Sequence, residues 1–212
     1  VDRGKQALVI FDCDGVLVDS EVISVKVDQL VLADLGWSIS VQEIIDRFVG
    51  RSHAYFLEAV EEHLGRKLPD DWEDSYQHLY REALTRDLRL VDGIADALER
   101  IDLPMCVASN GSHSKMEFTL KHANLWSRFE GRIFSAADVD QGKPAPDFGF
   151  KPDDCIVVED SCAGVTAALA AKMKVIAYAG GITAESKLVG KGVVIIDHMN
   201  QLVEAVNEVI GN

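Results

Sequence analysis

The chain has 212 residues, 48% of them hydrophobic, with 35 acidic against 21 basic side chains and a formal charge of −14. That length and apolar content suit one sizeable domain, or one domain with a modest insertion. The charge argues against nucleic acid as a partner, because such binding depends on Lys and Arg neutralising phosphates. No apolar run nears the ~20 residues of a membrane helix, and no basic start leads into an apolar stretch as in a signal peptide. The expectation is therefore a cytoplasmic monomer with no membrane or nucleic-acid partner. Cys13, Cys106, Cys155 and Cys162 form no C-x-x-C pair and read as reduced packing residues. A nucleophilic Cys13 is disfavoured, since its neighbours are carboxylates that oppose a thiolate.

In chain order, the first strand-like run covers residues 7–12 of "LVIFDCDGVLVDSE" and ends on Asp12, with Asp14 and Gly15 directly behind. A strand that needed only burial would not close on two acids. Residues 20–88 then read as helix throughout. "SVQEIIDRFVG" opens with an S-x-x-E capping pattern at Ser40 and Glu43 and closes on Gly50. "SHAYFLEAVEEHLG" and "PDDWEDSYQHLYREALTRDL" follow at helical spacing. Beyond them, helices predicted at 92–101, 115–122, 163–172 and 201–210 alternate with strands at 105–109, 132–135, 156–160, 175–179 and 193–197. Such alternation implies a parallel sheet covered on both faces. The expected class is α/β: a Rossmann-like parallel-sheet core from residues 1–18 and 90–212, with an all-helical insertion at 19–89.

Two connections read short. Only Phe148, Gly149 and Phe150 separate "KPAPD" from Lys151, where a parallel crossover takes about a dozen residues. Either the core is trimmed there or, as the spacing favours, the complete protein carries further sequence between Pro146 and Gly149. "GGITAESKLVGKG" is short as well.

The chemistry-bearing residues sit at predicted strand ends. In open parallel sheets the carboxyl edge is where ligands bind, and Asp12 ends the first strand there. "CVASNG" brings Ser109 and Asn110 to the same edge, "IVVEDS" brings Glu159 and Asp160, and "GKPAPD" carries Lys143 in a proline-rich loop. Two unit charges ~4 Å apart repel by about 4 kcal/mol at an effective dielectric of ~20, so these carboxylates need a cation. An oxygen-only donor set suits Mg²⁺. The chemistry indicated is phosphoryl transfer: one Asp attacks phosphorus, metal and lysine screen the charge, and the other Asp moves protons.

Each piece has a plainer alternative. An EF-hand fails, because its fifth, sixth and twelfth positions would be Val16, Leu17 and Ile23. Asp160 or Ser161 alone would read as a helix N-cap and Gly164 as a close helix contact. Ser109 alone would be a loop hydroxyl and Lys143 a solvated lysine. Their conjunction, in order and at four strand ends, makes coincidence the poorer account.

"FDCDGVLVDSE", "ASNG", "GKPAPD" and "VVEDSCAG" together resemble the four motifs of the haloacid dehalogenase-like hydrolase superfamily. The helical insertion is similar to the cap of its beta-phosphoglucomutase-like branch. The resemblance implies Asp12 as nucleophile, forming an aspartyl-phosphate, and Asp14 as general acid and base. It implies Ser109, Asn110, Gly111 and Lys143 around the phosphoryl group, with Lys143 also pairing with Asp12. Mg²⁺ would be held by Asp12, the Asp14 backbone carbonyl and Asp160, with Glu159 helping directly or through water. In the cap, Arg51 and His53 are the candidates for substrate contact, with Lys26 and Arg81 behind them.

"PMCVASNGSHSKM" looks more particularly like bacterial sugar-phosphate phosphatases of this branch, including one acting on 6-phosphogluconate. The function implied is a Mg²⁺-dependent phosphatase of a small phosphate ester. A phosphosugar mutase is the nearest rival; such mutases keep a histidine where this chain has Ser24. Dehalogenases of the superfamily lack the second Asp, which is present here as Asp14. A receiver-like phospho-acceptor module would have neither Asp14 nor a cap.

Overall fold

A computed structural model of the chain describes residues 7–49, 51, 53–135 and 150–211. By internal packing the chain divides into two units, Val1–Asp19 with Arg89–Asn212, and Ser20–Leu88. The cut falls where the chain crosses itself: the Asp19 N–H donates to Arg89 O and the Val91 N–H to Leu17 O.

The first unit holds strands β1 Leu8–Phe11, β2 Met105–Ser109, β3 Ile133–Ser135, β4 Cys155–Glu159, β5 Lys174–Tyr178 and β6 Val193–Ile196. They form one sheet, parallel throughout, in the order β3-β2-β1-β4-β5-β6. All residues of β1, β2 and β4 are buried, which is why they read as continuous apolar runs rather than alternating ones. The predicted strands lie within a residue of these. Leu8, Ile10, Cys106, Ala108, Val157 and Ala177 contribute to the core cluster on one face.

Strand order reverses beside β1: the chain winds outward through β2 and β3, then returns to β4 on the other flank. That makes β1/β4 the topological switch point, outside whose carboxyl ends open α/β sheets bind ligands. Register does the aiming. Phe11 pairs with Val107 on one side and Val158 on the other. Asp12 and Glu159, each the next residue, therefore leave the sheet at one level, with Ser109 a residue beyond it on β2.

Among its described residues, the α-helices of the first unit are α5 Ile94–Arg100, α6 His113–His122, α7 Trp126–Phe129, α8 Cys162–Ala170 and α9 Leu202–Gly211. The short connection from β5 to β6 has no α-helix: a 3-10 turn at Glu185–Lys187 hands the chain to Leu188, which is fully buried. The question of extra sequence between Pro146 and Gly149 falls mainly on residues outside those described.

The second unit contains α1 Glu21–Asp34, α2 Val41–Phe48, α3 His53–Leu64 and α4 Gln77–Asp87, with no strand among its described residues. Ser40 caps α2, and Glu43 closes the box by accepting from the Ser40 N–H. The closing position assigned to Gly50 lies outside the described residues. Trp37 stacks on His63 with ring centroids 4.1 Å apart and meets Phe48 edge-on. Tyr80 of α4 donates to Asp28 of α1, tying the two helices.

Candidate active site

Sheet pairing runs to the last residue before the site. The Asp12 N–H donates to Val158 O at 3.0 Å, which fixes Asp12 against the end of β4. There it meets Glu159 and Asp160. Carboxylate oxygens of the three lie within 4.8 Å of one another, although the residues are only 8%, 2% and 1% exposed.

Glycines make this crowding possible. After Asp12 the chain turns back on itself, with the Leu17 and Val18 N–H groups both donating to Cys13 O. Gly15 sits in that turn at φ +77°, and a Cβ there would lie 1.9 Å from Asp160 Oδ2. Only glycine satisfies both the left-handed backbone and the carboxylate pressed against it. On α8, a Cβ at Gly164 would stand 2.0 Å from Glu159 Oε2. Glu159 is held from its other oxygen: Oε1 accepts from the Asp160 N–H, the Ser161 N–H and the Ser161 hydroxyl at 3.2, 3.0 and 2.8 Å. Ser161 also caps α8, accepting from the Gly164 N–H. The capping role foreseen for Ser161 is thus present, whereas the close contact of Gly164 is with the Glu159 side chain rather than another helix.

The Asp14 carboxylate stands apart from this group. Its Oδ2 accepts a hydrogen bond from Lys115 Nζ at 2.8 Å. Burial alone would lower the pKa of that ammonium; the charge of Asp14 and the hydrogen bond to it more than offset this, and the net shift is upward. Beside the pair lies the turn after β2. The buried Ser109 hydroxyl accepts from the Gly111 N–H at 3.1 Å, and Ser135 of β3 donates to Gly111 O at 2.7 Å. The Cβ position of Gly111 is 3.5 Å from both Asp14 Oδ2 and Ser109 Oγ, so Asp14 leans toward this turn. Asn110 is exposed on it.

The turn between the two acids is anchored through Cys13, whose Sγ lies 3.9 Å from Thr119 Oγ1 on α6. Burial, then the charges of Asp14 and Asp12, push the Cys13 thiol well above its usual range. Fully buried as well, Cys13 packs the turn in an environment that opposes a thiolate.

The carboxyl edge of the sheet thus gathers Asp12, Asp14, Ser109, Asn110, Gly111, Glu159 and Asp160. Lys143 lies outside the described residues. In the helical unit, Arg51 is exposed with its guanidinium 5.4 Å from the Tyr55 ring centroid. His53 opens α3, its side chain outside the description. Lys26 and Arg81 are exposed on α1 and α4. Two residues escaped the sequence reading, Lys115 and Ser135. A signal for Lys115 existed: Ser112 caps α6 and places Lys115 in its first turn, next to the Ser109 turn. Ser135 carried none beyond its strand-end position.

The cluster fits a hard divalent cation. Its donors are all oxygen, as Mg²⁺ prefers, and each carboxylate pair at ~4 Å would otherwise repel by about 4 kcal/mol at a dielectric of ~20. The space taken by Asp160 exists only because Gly15 has no side chain.

A family model for haloacid dehalogenase-like hydrolases matches residues 9–178. The chain is 30% identical to the 6-phosphogluconate phosphatase of Escherichia coli over 92% of each protein. It is 32% identical to a probable pseudouridine-5'-phosphatase of Drosophila melanogaster over 79% of each. Among solved structures, a conserved haloacid dehalogenase-like protein of unknown function from Agrobacterium tumefaciens superposes with a TM-score of 0.82 at 36% identity. That match covers 98% of this chain and 100% of the other. With the fold, the acidic cluster and these matches in agreement, the chain belongs to the haloacid dehalogenase-like hydrolases.

Proposed function

We propose that the protein is a Mg²⁺-dependent phosphatase that hydrolyses a sugar or sugar-acid phosphate through an aspartyl-phosphate on Asp12. Membership of the family, and relatives named as phosphatases, make it a phosphoric monoester hydrolase. The observation that carries the finer reading is the buried Asp12–Glu159–Asp160 cluster at the switch point, with Asp14 two residues from Asp12 and outside the cluster.

In this reading Asp12, Asp160 and the Asp14 backbone carbonyl hold Mg²⁺, with Glu159 fixed behind them. The bound ion supplies positive charge against the phosphoryl oxygens. Asp12 attacks phosphorus and displaces the ester oxygen, to which Asp14 delivers a proton. Water then attacks the aspartyl-phosphate, gives its proton to Asp14, and Asp12 is regenerated. Ser109 and the Gly111 turn receive the phosphoryl group, and Lys143 pairs with it and with Asp12. Asn110, Arg51 and His53 are candidates for contact with the rest of the substrate, with the helical unit acting as the cap. The similarity to a 6-phosphogluconate phosphatase places 6-phosphogluconate first among substrates to try. A mutase is disfavoured, because Ser24 on α1 offers a hydroxyl where the mutases keep an imidazole.

The test is phosphate release from a panel of phosphate monoesters with Mg²⁺, with a hexose 1-phosphate plus trace bisphosphate in parallel. Phosphate from sugar or sugar-acid esters is the expected result. Rapid hexose 6-phosphate formation with little free phosphate would establish a mutase instead.

A further inference from the structure

We infer that Lys115 is a positioning residue for Asp14, holding the carboxyl by Oδ2 so that Oδ1 carries the proton to the leaving group and takes it back from water. The inference rests on the phosphatase reading and assigns within it a residue outside the four motifs.

The contact joins positions 101 residues apart, between the turn after β1 and the first turn of α6, at 2.8 Å. The side chains of Lys115 and Asp14 are 37% and 16% exposed, so neither is a fully solvated surface group. Both ends are fixed by other contacts. Ser112 caps the helix start by accepting from the Lys115 N–H. One turn on, Thr119 donates to Lys115 O and lies against Cys13, the residue before Asp14. The Lys115 stem passes Gly111, whose Cβ position is 3.7 Å from Lys115 Cδ. Ammonium, carboxylate and phosphoryl-binding turn thus form one packed unit.

The chemistry explains the choice of lysine. An ammonium only donates, so it engages Oδ2 as an acceptor whether Asp14 is ionised or neutral with its proton on Oδ1. The contact therefore survives both halves of the reaction. In the first, an Asp12 oxygen bonds to phosphorus, the ester P–O bond breaks, and the Asp14 proton passes to the departing oxygen. In the second, water oxygen bonds to phosphorus, its proton returns to Asp14, and the Asp12 O–P bond breaks. Misplacement of a reacting group by ~1 Å can cost ~10²-fold in rate, and removing the ammonium takes away the contact that holds Asp14 by Oδ2.

The test compares kcat/KM for p-nitrophenyl phosphate and for an alkyl ester in wild type, Lys115→Met and Lys115→Arg, all with Mg²⁺. The alkyl ester is 6-phosphogluconate, or glycerol 3-phosphate if wild type turns over only the latter. A nitrophenolate departs without a proton, whereas an alkoxide needs one. In Lys115→Met the loss on the alkyl ester is expected to exceed that on the aryl ester by ~10- to 100-fold. Lys115→Arg should recover most of the difference. Equal loss on both esters would overturn the positioning role, making Lys115 a phosphoryl-binding or purely structural group. No loss on either would overturn it as well. If wild type hydrolyses neither ester, the phosphatase reading itself fails, an outcome distinct from both.

Discussion

Gly164→Ala sets helix propensity against the acidic site. In a helix, alanine is favoured over glycine by about 0.8–1 kcal/mol, so α8 by itself would gain from the change. The new Cβ, however, would lie 2.0 Å from Glu159 Oε2, 2.1 Å from its Cδ and 2.6 Å from its Cγ. The whole Glu159 side chain must move, not merely its tip. It is 2% exposed and its Oε1 accepts three hydrogen bonds from the start of α8. Hydrogen bonds to charged groups contribute ~1.5–3 kcal/mol each, and overpacking costs ~1–3 kcal/mol more. Even partial loss outweighs the propensity gain, leaving a net destabilisation of ~2–4 kcal/mol. For a chain of this size that lowers Tm by ~5–15 °C. Thermal unfolding should be followed with and without Mg²⁺. A ligand at ~100 times its Kd adds about 2.7 kcal/mol to stability, and the variant should lose most of that increment. A Gly164→Ala protein more stable than wild type, with its full Mg²⁺ increment, would refute the packing argument.

Asp12→Asn should leave the circular dichroism spectrum unchanged while abolishing phosphate release, since an amide oxygen is a poor nucleophile; near-native turnover with a correct mass would exclude Asp12 as nucleophile. EDTA should stop turnover of p-nitrophenyl phosphate and Mg²⁺ should restore it, whereas full activity after chelation would remove the metal from the mechanism. Iodoacetamide on the native protein should add one label, at the exposed Cys162, because Cys13, Cys106 and Cys155 are buried and burial, with its acidic neighbours, pushes the Cys13 thiol well up; labelling of Cys13 by peptide mapping would contradict that. Ser40→Ala should cost ~1 kcal/mol in thermal stability by removing a capping side chain, with no effect on kcat.

What the sequence disclosed follows from how strongly each feature is written in it. Buried parallel strands need unbroken apolar runs, so β1, β2 and β4 were legible almost to the residue. The acids that close β1 and β4 were legible for the opposite reason: buried charge is costly, and its presence at a strand end marks a site. Side-chain pairing was not legible. Nothing local says that Asp14 turns to Lys115 rather than joining Asp12, since that depends on where α6 lies across the turn after β1. Nor could Gly15 and Gly164 be told from ordinary turn and helix glycines. Their reason is a carboxylate brought from another segment, and only the folded chain supplies the distance.

The electrostatics of the site resolve the tension between a −14 chain and an anionic substrate. Charge screening at ~8–10 Å in physiological salt leaves the distant carboxylates little say over a phosphate ester at the sheet edge. What matters is the first few ångströms, and there the chain separates its acids into two groups. Asp12, Glu159 and Asp160 are gathered with their carboxylate oxygens within 4.8 Å of one another, and in the proposed function a divalent cation would turn that repulsion into metal affinity. Asp14 is kept out of that group and given an ammonium of its own. Had Asp14 shared the cation through its side chain, its oxygens would be committed to the metal and poorly placed to move a proton. In the proposed mechanism one acid attacks and another carries the proton, roles that call for different neighbours, and Lys115 gives Asp14 a different one.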